Sequence, residues 1–295
     1  NTLTCDINMR AESLFDTVPT LGVSSQFKTI FSLNAIVYIC HAGPFLSDKF
    51  FDLTGSLSFA LAAITGYRDR KREQQSQRKI PSEIAKGNVR AGIATTGVIL
   101  WALRLGTFLF TRISRDGKDR RQDALKAQGR ILYAVFWLYQ VFWCSVVGLP
   151  TYLTNKYATE HELDKVDYFG MLLWFCGLSC EALADSQKRT FAQKGLRETQ
   201  GFITSGLWSL SRHPNYAGEI MLWLGMSLFG WNSIRRSEIA PTAAAAFLSP
   251  AWTYYILNYF SGIPLLEISM RKKYKNNKKF QQWLKATPIL WPKLT

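Results

Sequence analysis

The chain has 295 residues, of which 47% are hydrophobic and only 19% charged, and its formal net charge is +15. The mean hydropathy is nevertheless close to zero, at -0.04, so apolar and basic residues must occupy different stretches, as in membrane spans and their connecting loops. This pattern excludes an ordinary soluble globular domain. The positive charge is spread over several loops and the C-terminal tail, without exposed aromatic residues between the charges, and we therefore expect no nucleic-acid partner.

Seven stretches are predicted to be membrane helices, because each is largely free of charged residues over most of the length of a span. In chain order they are residues 27–46, 51–67, 91–110, 131–153, 168–184, 218–231 and 239–263. The third, fourth, fifth and seventh are the clearest. The sequence therefore predicts an all-α fold, a polytopic membrane helical bundle of about seven transmembrane helices.

Residues 68–90 are strongly basic and are predicted to form a basic loop after the second helix. If the lysine-rich tail is on the positive-inside face, this loop lies on the opposite face and conflicts with the charge rule. The chain begins at Asn1 rather than Met, so we expect it to be processed or partial. That expectation favours a plastid or mitochondrial membrane, with the endoplasmic reticulum as the alternative.

Three ionisable residues lie at membrane depth in the predicted helices, namely Arg104, Glu181 and Glu219. Such groups are costly in a bilayer unless they face the bundle interior, which makes them site candidates. Glu181 also begins a series with Asp185, Lys188 and Arg189 at helical spacing, so the four share one face. A solvated helix end is the alternative interpretation of that face. The five Cys and three His are too scattered for a disulfide framework or a metal site.

Residues 206–219 read GLWSLSRHPNYAGE, and Pro214 fits the first turn of a helix. Arg212 and His213 then stand at a helix N-terminus, where free N–H groups and the helix dipole favour a phosphate. Asn215 and Glu219 share the next face and can bind ribose hydroxyls or a carboxamide. No GxGxxG follows a strand, so a Rossmann domain is not expected.

The segment 211–219, together with Asp185, Gln187 and Lys188, resembles the steroid 5α-reductase C-terminal (DUF1295) family of membrane reductases. The similarity extends upstream to Arg104 and downstream to the Trp-Pro pair at 291–292, and it is loose before residue 91. Isoprenylcysteine carboxyl methyltransferases share the short Arg-His-Pro-x-Tyr-x-Gly motif, but Asn215 and Glu219 favour the reductases. We therefore divide the chain into an N-terminal region, residues 1–90, and a 5α-reductase-like membrane domain, residues 91–295.

The resemblance implies an NADPH-dependent reductase that reduces a carbon–carbon double bond in a steroid or isoprenoid-like lipid. The expected partners are a lipid substrate, membrane lipids and other membrane subunits. Tyr216 and Glu181 are the catalytic candidates, and no metal is expected. The expected cofactor-binding residues are Arg104, Asp119, Asp185, Lys188, Arg189, Arg212, His213, Asn215 and Glu219.

The sequence departs from the steroid reductases at the catalytic acid. Trp101 stands where those enzymes have a Tyr, residues 51–67 contain no Glu, and Leu222 replaces a second Glu. Two hypotheses follow. The protein is either a reductase of another lipid that uses Glu181, Tyr216 or water as the proton source, or an inactive accessory or structural subunit of a larger organellar membrane complex.

Overall fold

The computed structural model describes residues 22–76, 81–117, 120–159, 161–237 and 240–292, and all regular secondary structure in these ranges is helical. The longer helices are α1 (Ser24–Val37), α2 (Phe51–Ser76), α3 (Pro81–Asp116), α4 (Arg120–Ala127), α5 (Arg130–Val147), α6 (Leu149–Tyr157), α7 (Lys165–Gln193), α8 (Pro214–Ile234), α9 (Leu248–Tyr255), α10 (Ile263–Lys273) and α11 (Lys278–Ala286). A π-helical turn, Tyr38–Ala42, extends α1. A 3-10 helix, Ala240–Phe247, precedes α9, and a second π-helical turn, Ile256–Phe260, follows it.

Within the described ranges, three helices are long and apolar enough to cross a membrane, by length and composition: Asn88–Arg115, Arg130–Val147 and Lys165–Gln193. The other four predicted stretches are also helical where the structure describes them. Three of the seven are interrupted, the first of them by the π-helical turn Tyr38–Ala42. Residues 131–153 divide at Gly148, because Pro150 in the first turn of α6 has no N–H for a continuous helix. Residues 240–260 change from 3-10 to α to π geometry.

The prediction of a basic loop at residues 68–90 is wrong. Helix α2 continues to Ser76 and α3 begins at Pro81, so most of the stretch is helical. Arg90 is buried in an ion pair with Asp167 at 2.7 Å, and it also donates to the carbonyl oxygens of His161 and Glu162. Arg70 is buried and donates to the carbonyl oxygens of Asn155 and Ala158. Both side chains are buried and bind the residues at or next to helix ends. The positive-inside rule applies to charges in solvated loops, so these two arginines do not count in it.

An aromatic core joins the N-terminal helices to the rest of the bundle. The ring of Phe59 on α2 packs edge-to-face against Trp101 on α3 and Trp143 on α5, with centroids 5.1 and 5.0 Å away. Trp101 in turn packs against Trp223 on α8 at 4.9 Å. One core therefore contains residues from both sides of position 90, and the division at that position does not coincide with a gap in the packing.

Helices α7 and α8 pack backbone against backbone through two pairs of glycines. A Cβ atom on Gly218 would lie 2.7 Å from the carbonyl oxygen of Gly177, and a Cβ on Gly170 would lie 2.8 Å from that of Gly225. The two glycines of each helix are seven residues apart, so the contact repeats after two helical turns. Small residues allow helices in a membrane to approach this closely. The contact places the end of α7 directly against the start of α8.

We predict that Gly218→Ala destabilises the bundle by about 1–3 kcal/mol, because the new methyl group overlaps the backbone of α7. A thermal unfolding curve in mild detergent measures the loss. Gly92→Ala on α3 is the matched control, since its Cβ would find no atom closer than the Tyr67 hydroxyl at 3.8 Å. The control should unfold at or above the wild-type temperature. Equal melting of Gly218→Ala and wild type would contradict the close contact.

Candidate functional site

The glycine contact brings together polar side chains from α3, α7 and α8, which we call the carboxylate cluster: Arg104, Glu181, Asp185, Asn215 and Glu219. The guanidinium of Arg104 donates to Glu181, and it donates to Oδ2 of Asp185 at 3.0 Å. Nδ2 of Asn215 donates to the other oxygen of Asp185, Oδ1, at 3.3 Å. The structure thus gathers on one site residues that are up to 115 positions apart, from Arg104 to Glu219.

The charge in the carboxylate cluster is not balanced. Glu219 interacts electrostatically with Arg104, Asp185 and Glu181, so one guanidinium faces three carboxyl groups. The Nε of Arg104 is buried and has no hydrogen-bond partner among the described residues. Buried polar groups are normally paired, and this donor is therefore available to a ligand. Among the described residues, no group of three or more His, Cys, Asp or Glu side chains could hold a metal ion.

Trp101 belongs to this site, although the sequence identified it only as a departure from the family pattern. Its Nε1 donates to Oε2 of Glu181 at 3.2 Å, while Arg104 binds the other oxygen. Both carboxylate oxygens of Glu181 are thereby fixed in position. The partner of Trp101 is 80 residues away in the sequence, so no local pattern indicates the contact.

A second group of predicted residues forms what we call the C-terminal junction: Arg212, His213 and Tyr216 with Glu267 and Arg271. Arg212 donates to Oε2 of Glu267 at 2.6 Å, and Nε2 of His213 lies 3.2 Å from Oε1. Arg271 also donates to Oε2, at 3.2 Å. The ring of Tyr216 is parallel to that of His213, with centroids 5.5 Å apart. Glu267 therefore compensates part of the positive charge that the sequence assigned to a phosphate.

Burial and charge shift the pKa values of the junction in defined directions. Burial lowers the pKa of His213 below its usual value, against the opposing hydrogen bond to Glu267. Burial raises the pKa of Glu267, but the hydrogen bond from His213 and the charges of Arg212 and Arg271 outweigh it and lower the pKa overall. The junction is therefore formed by a neutral His213 and an ionised Glu267 at neutral pH.

Helix α8 begins at Pro214, which confirms the prediction that this proline lies in the first turn of a helix. The backbone N–H groups that precede it are already bonded. The N–H of Arg212 donates to the carbonyl of Pro288 at 2.9 Å, and that of His213 to the carbonyl of Ile289 at 3.1 Å. The tail thus bonds the two N–H groups that immediately precede α8, while those of Tyr216 and Ala217 in its first turn donate to the carbonyl oxygen of His213.

Lys188 lies between the two groups. Its Nζ is 5.1 Å from the ring centroid of Trp208, and it interacts electrostatically with both Asp185 and His213. Arg189 is exposed on the same helix. Asp119, also predicted as a cofactor ligand, lies outside the described residues. The predicted ligands thus form an acidic part, a basic part and a lysine that connects them.

An apolar pocket of about 500 Å³ lies between α3, α7 and α8, and the sequence analysis did not predict it. Its lining includes Gly97, Trp174 and Met226. Each of these is seven residues from a member of the carboxylate cluster on its own helix, namely Arg104, Glu181 and Glu219 respectively. Seven residues of helix correspond to about 10 Å. The sequence signal for this site is Gly97, because a side chain there would take up space next to Met226 and Trp174.

Comparison with known proteins gives one family and one relative. Residues 45–287 match the model of a family described as "Protein of unknown function (DUF1295)". An uncharacterized protein of Schizosaccharomyces pombe is 26% identical over 157 residues, which represent 44% of this chain and 45% of the relative. The match thus spans less than half of the length of that relative. No solved structure matches this chain.

We predict that the junction loses stability as the pH falls below 6.5, the usual pKa of histidine. Because the pKa of His213 is lower in the folded than in the unfolded state, the unfolded chain binds the proton first and acid favours unfolding. The slope contributed by one such group reaches about 1.4 kcal/mol per pH unit. Thermal unfolding between neutral and mildly acidic pH measures it, with His213→Asn as the comparison. Parallel pH profiles for the two proteins would contradict the assignment.

Proposed function

The chain belongs to the DUF1295 family, and from this premise we propose that it is a membrane-embedded, NADPH-dependent reductase of a carbon–carbon double bond in a lipid. The observation that carries the proposal is the carboxylate cluster, with the unpartnered Nε of Arg104, on the same helices as an apolar pocket. A polar site that continues into an apolar one suits a reaction between a nucleotide and a lipid. The organised cluster favours an enzyme over an accessory subunit.

We propose that the chain crosses the bilayer seven times, in an organellar or endoplasmic reticulum membrane. Beyond the three spans that meet the length and composition criteria, the other predicted spans also expose large apolar side chains. Examples are Ile39 and Phe45, which are 69% and 71% exposed, and Phe260, which is 61% exposed. Contiguous exposed apolar surface is rare on soluble monomers and is expected where hydrocarbon surrounds the protein.

The donor set of the site fits NADPH. The amide of Asn215 and the carboxylate of Asp185 suit ribose hydroxyls or the nicotinamide carboxamide. The excess of carboxylates repels phosphates, so the phosphate groups would lie towards Lys188 and Arg212, where the charge is positive, and the neutral His213 can offer a hydrogen bond beside them. Bound NADPH supplies a hydride. The expected roles of Arg189 and Asp119 stay predictions.

Glu181 is the residue best positioned to hold and deliver the proton. Arg104 and Trp101 fix both of its oxygens, and a single proton shared with the neighbouring carboxyl groups would reduce the excess of negative charge in the cluster. A fixed donor at the place where charge develops on a substrate carbonyl lowers the reaction barrier. Tyr216 is a weaker candidate, because its ring stacks on His213 in the C-terminal junction.

We predict that Asn215→Ala and Asp185→Asn each weaken NADPH binding, by about two- to tenfold for the loss of a neutral hydrogen bond of 0.5–1.5 kcal/mol. Quenching of tryptophan fluorescence on titration measures the affinity. Asn258→Ala is the matched control, since this Asn donates only to the carbonyl of Tyr254 and should leave the affinity unchanged. If both site variants bind NADPH as tightly as wild type, the assignment of the site is wrong.

We predict that Glu181→Gln lowers kcat by at least about 100-fold, the usual contribution of a positioned acid, while the affinity for NADPH changes little. Single-turnover oxidation of NADPH after addition of an isoprenoid or steroid enone provides the rate. Trp101→Phe removes the indole donor to Glu181 and also shortens a core side chain, so its thermal unfolding is measured alongside; the folded variant should show a smaller decrease of the same kind. A Glu181→Gln variant with the wild-type rate would assign the proton to another group.

A further inference from the structure

The apolar pocket has an inner wall between the helices and an opening at exposed side chains. Its inner wall is formed by Gly97, Trp174, Met226 and Phe229. Its opening lies at Leu100 on α3 and Phe175 on α7, which are 52% and 63% exposed. Both residues belong to helices that are long and apolar enough to cross a membrane. The opening therefore faces hydrocarbon, and a molecule reaches the pocket sideways from the bilayer.

The glycines determine the volume of the pocket. Gly92 and Gly97 on α3 and Gly225 on α8 all line it. A Cβ on Gly97 would lie 3.1 Å from Cε of Met226 and 3.4 Å from the ring of Trp174, so a side chain there would fill the space. About 500 Å³ is within the range of small-molecule sites. The apolar lining suits a hydrocarbon chain and offers little to a polar ligand.

The carboxylate cluster limits which polar head group the bound lipid can have at the other end of its hydrocarbon chain. It lies about 10 Å from the pocket along the same three helices, and it has three carboxyl groups for one guanidinium. The carboxylates would repel a negatively charged lipid head group at this end, because the low dielectric constant of the bilayer interior strengthens the repulsion. A neutral carbonyl can instead accept a hydrogen bond from the site. The two ends together define a lipid with a neutral polar head and one flexible chain.

We propose that this pocket binds the hydrocarbon chain of the lipid substrate, and that the substrate is a neutral-headed, single-chain carbonyl lipid that enters between α3 and α7. The assignment of the bound lipid as substrate rests on the proposed reductase function. The binding of the chain itself rests only on the pocket. Even with the one shared proton that the reaction needs, two negative carboxylates face the guanidinium of Arg104, so the head end disfavours a fatty acid or an anionic phospholipid as substrate.

Photolabelling tests the proposal on the full-length protein in lipid nanodiscs. The probe is a long-chain enone that has a diazirine near the end of its chain, and the matched probe is the fatty acid of the same length with the same diazirine. We expect the enone to label Trp174, Met226 or Phe229, as mapped by mass spectrometry, and the acid to label them at least about fivefold less. This difference corresponds to about 1 kcal/mol.

Gly97→Leu provides the blocking variant, because a Cβ at this position already lies 3.1 Å from Cε of Met226 and 3.4 Å from the ring of Trp174, two residues of the pocket wall. We expect it to lower labelling by the enone at least about fivefold. Val135→Phe, on the exposed face of α5, enlarges a side chain outside the pocket and should leave the labelling unchanged. Labelling spread over lipid-facing residues such as Leu138, or unaffected by Gly97→Leu, would overturn the proposal.

NADPH titration of the same samples separates the two proposals. Nucleotide binding with unspecific labelling overturns the pocket assignment and leaves the reductase intact. Specific labelling without nucleotide binding contradicts the reductase, and with it the identification of the bound lipid as substrate. Equal labelling by the acid and the enone would show that the head is not selected by charge, and would overturn the substrate class.

Discussion

The backbone contact between α7 and α8 is the constraint on which the functional part of the bundle depends. Gly170 and Gly177 meet Gly225 and Gly218, and any Cβ at these positions would overlap a carbonyl oxygen. A spacing of seven residues keeps one face of each helix against its partner over two turns. Asp185 and Asn215 are within hydrogen-bond reach because this contact is so close. The same contact leaves the pocket between these two helices and α3, so the polar and apolar sites have one structural origin.

Some buried arginines in this protein have enough partners to satisfy their charge and hydrogen bonds, and others do not. We interpret the first kind as structural and the second kind as part of the candidate site. Arg90 has one carboxylate partner, Asp167, and two carbonyl acceptors, so its hydrogen-bonding capacity is largely used. Such a pair fixes α3 against the start of α7 and is costly to break. Arg104 instead faces three carboxyl groups and retains an unpartnered Nε. An imbalance of this kind is tolerated in a low-dielectric interior where a ligand or a proton completes it.

The sequence predicted the elements of the fold better than their contacts. All seven apolar stretches are helical where described, because the length of an apolar run is a local property. The grouping of Asp185 with Asn215 and Glu219 was also accessible, from helical spacing and the family motif. The burial of Arg70 and Arg90 could not be predicted in this way, because the number of charges in a segment does not show which side chains point into the protein. Arg212 and His213 were assigned to a phosphate because their partner Glu267 is about 55 residues away, and the tail that covers their N–H groups is more distant still.

Trp101 bears on where the proton donor lies in the proposed reaction. An indole N–H is too weak an acid to replace the phenol found at this position in the steroid reductases. It can still orient an acid, and Trp101 donates to Glu181 while its ring fills the core beside Phe59 and Trp223. Under the proposed function, the proton donor therefore lies on α7 rather than on α3. A substrate carbonyl that meets Glu181 lies between these two helices, and its chain continues along their shared face towards Gly97 and Trp174. The replacement of the tyrosine and the position of the pocket are thus consistent with one change in where the lipid binds.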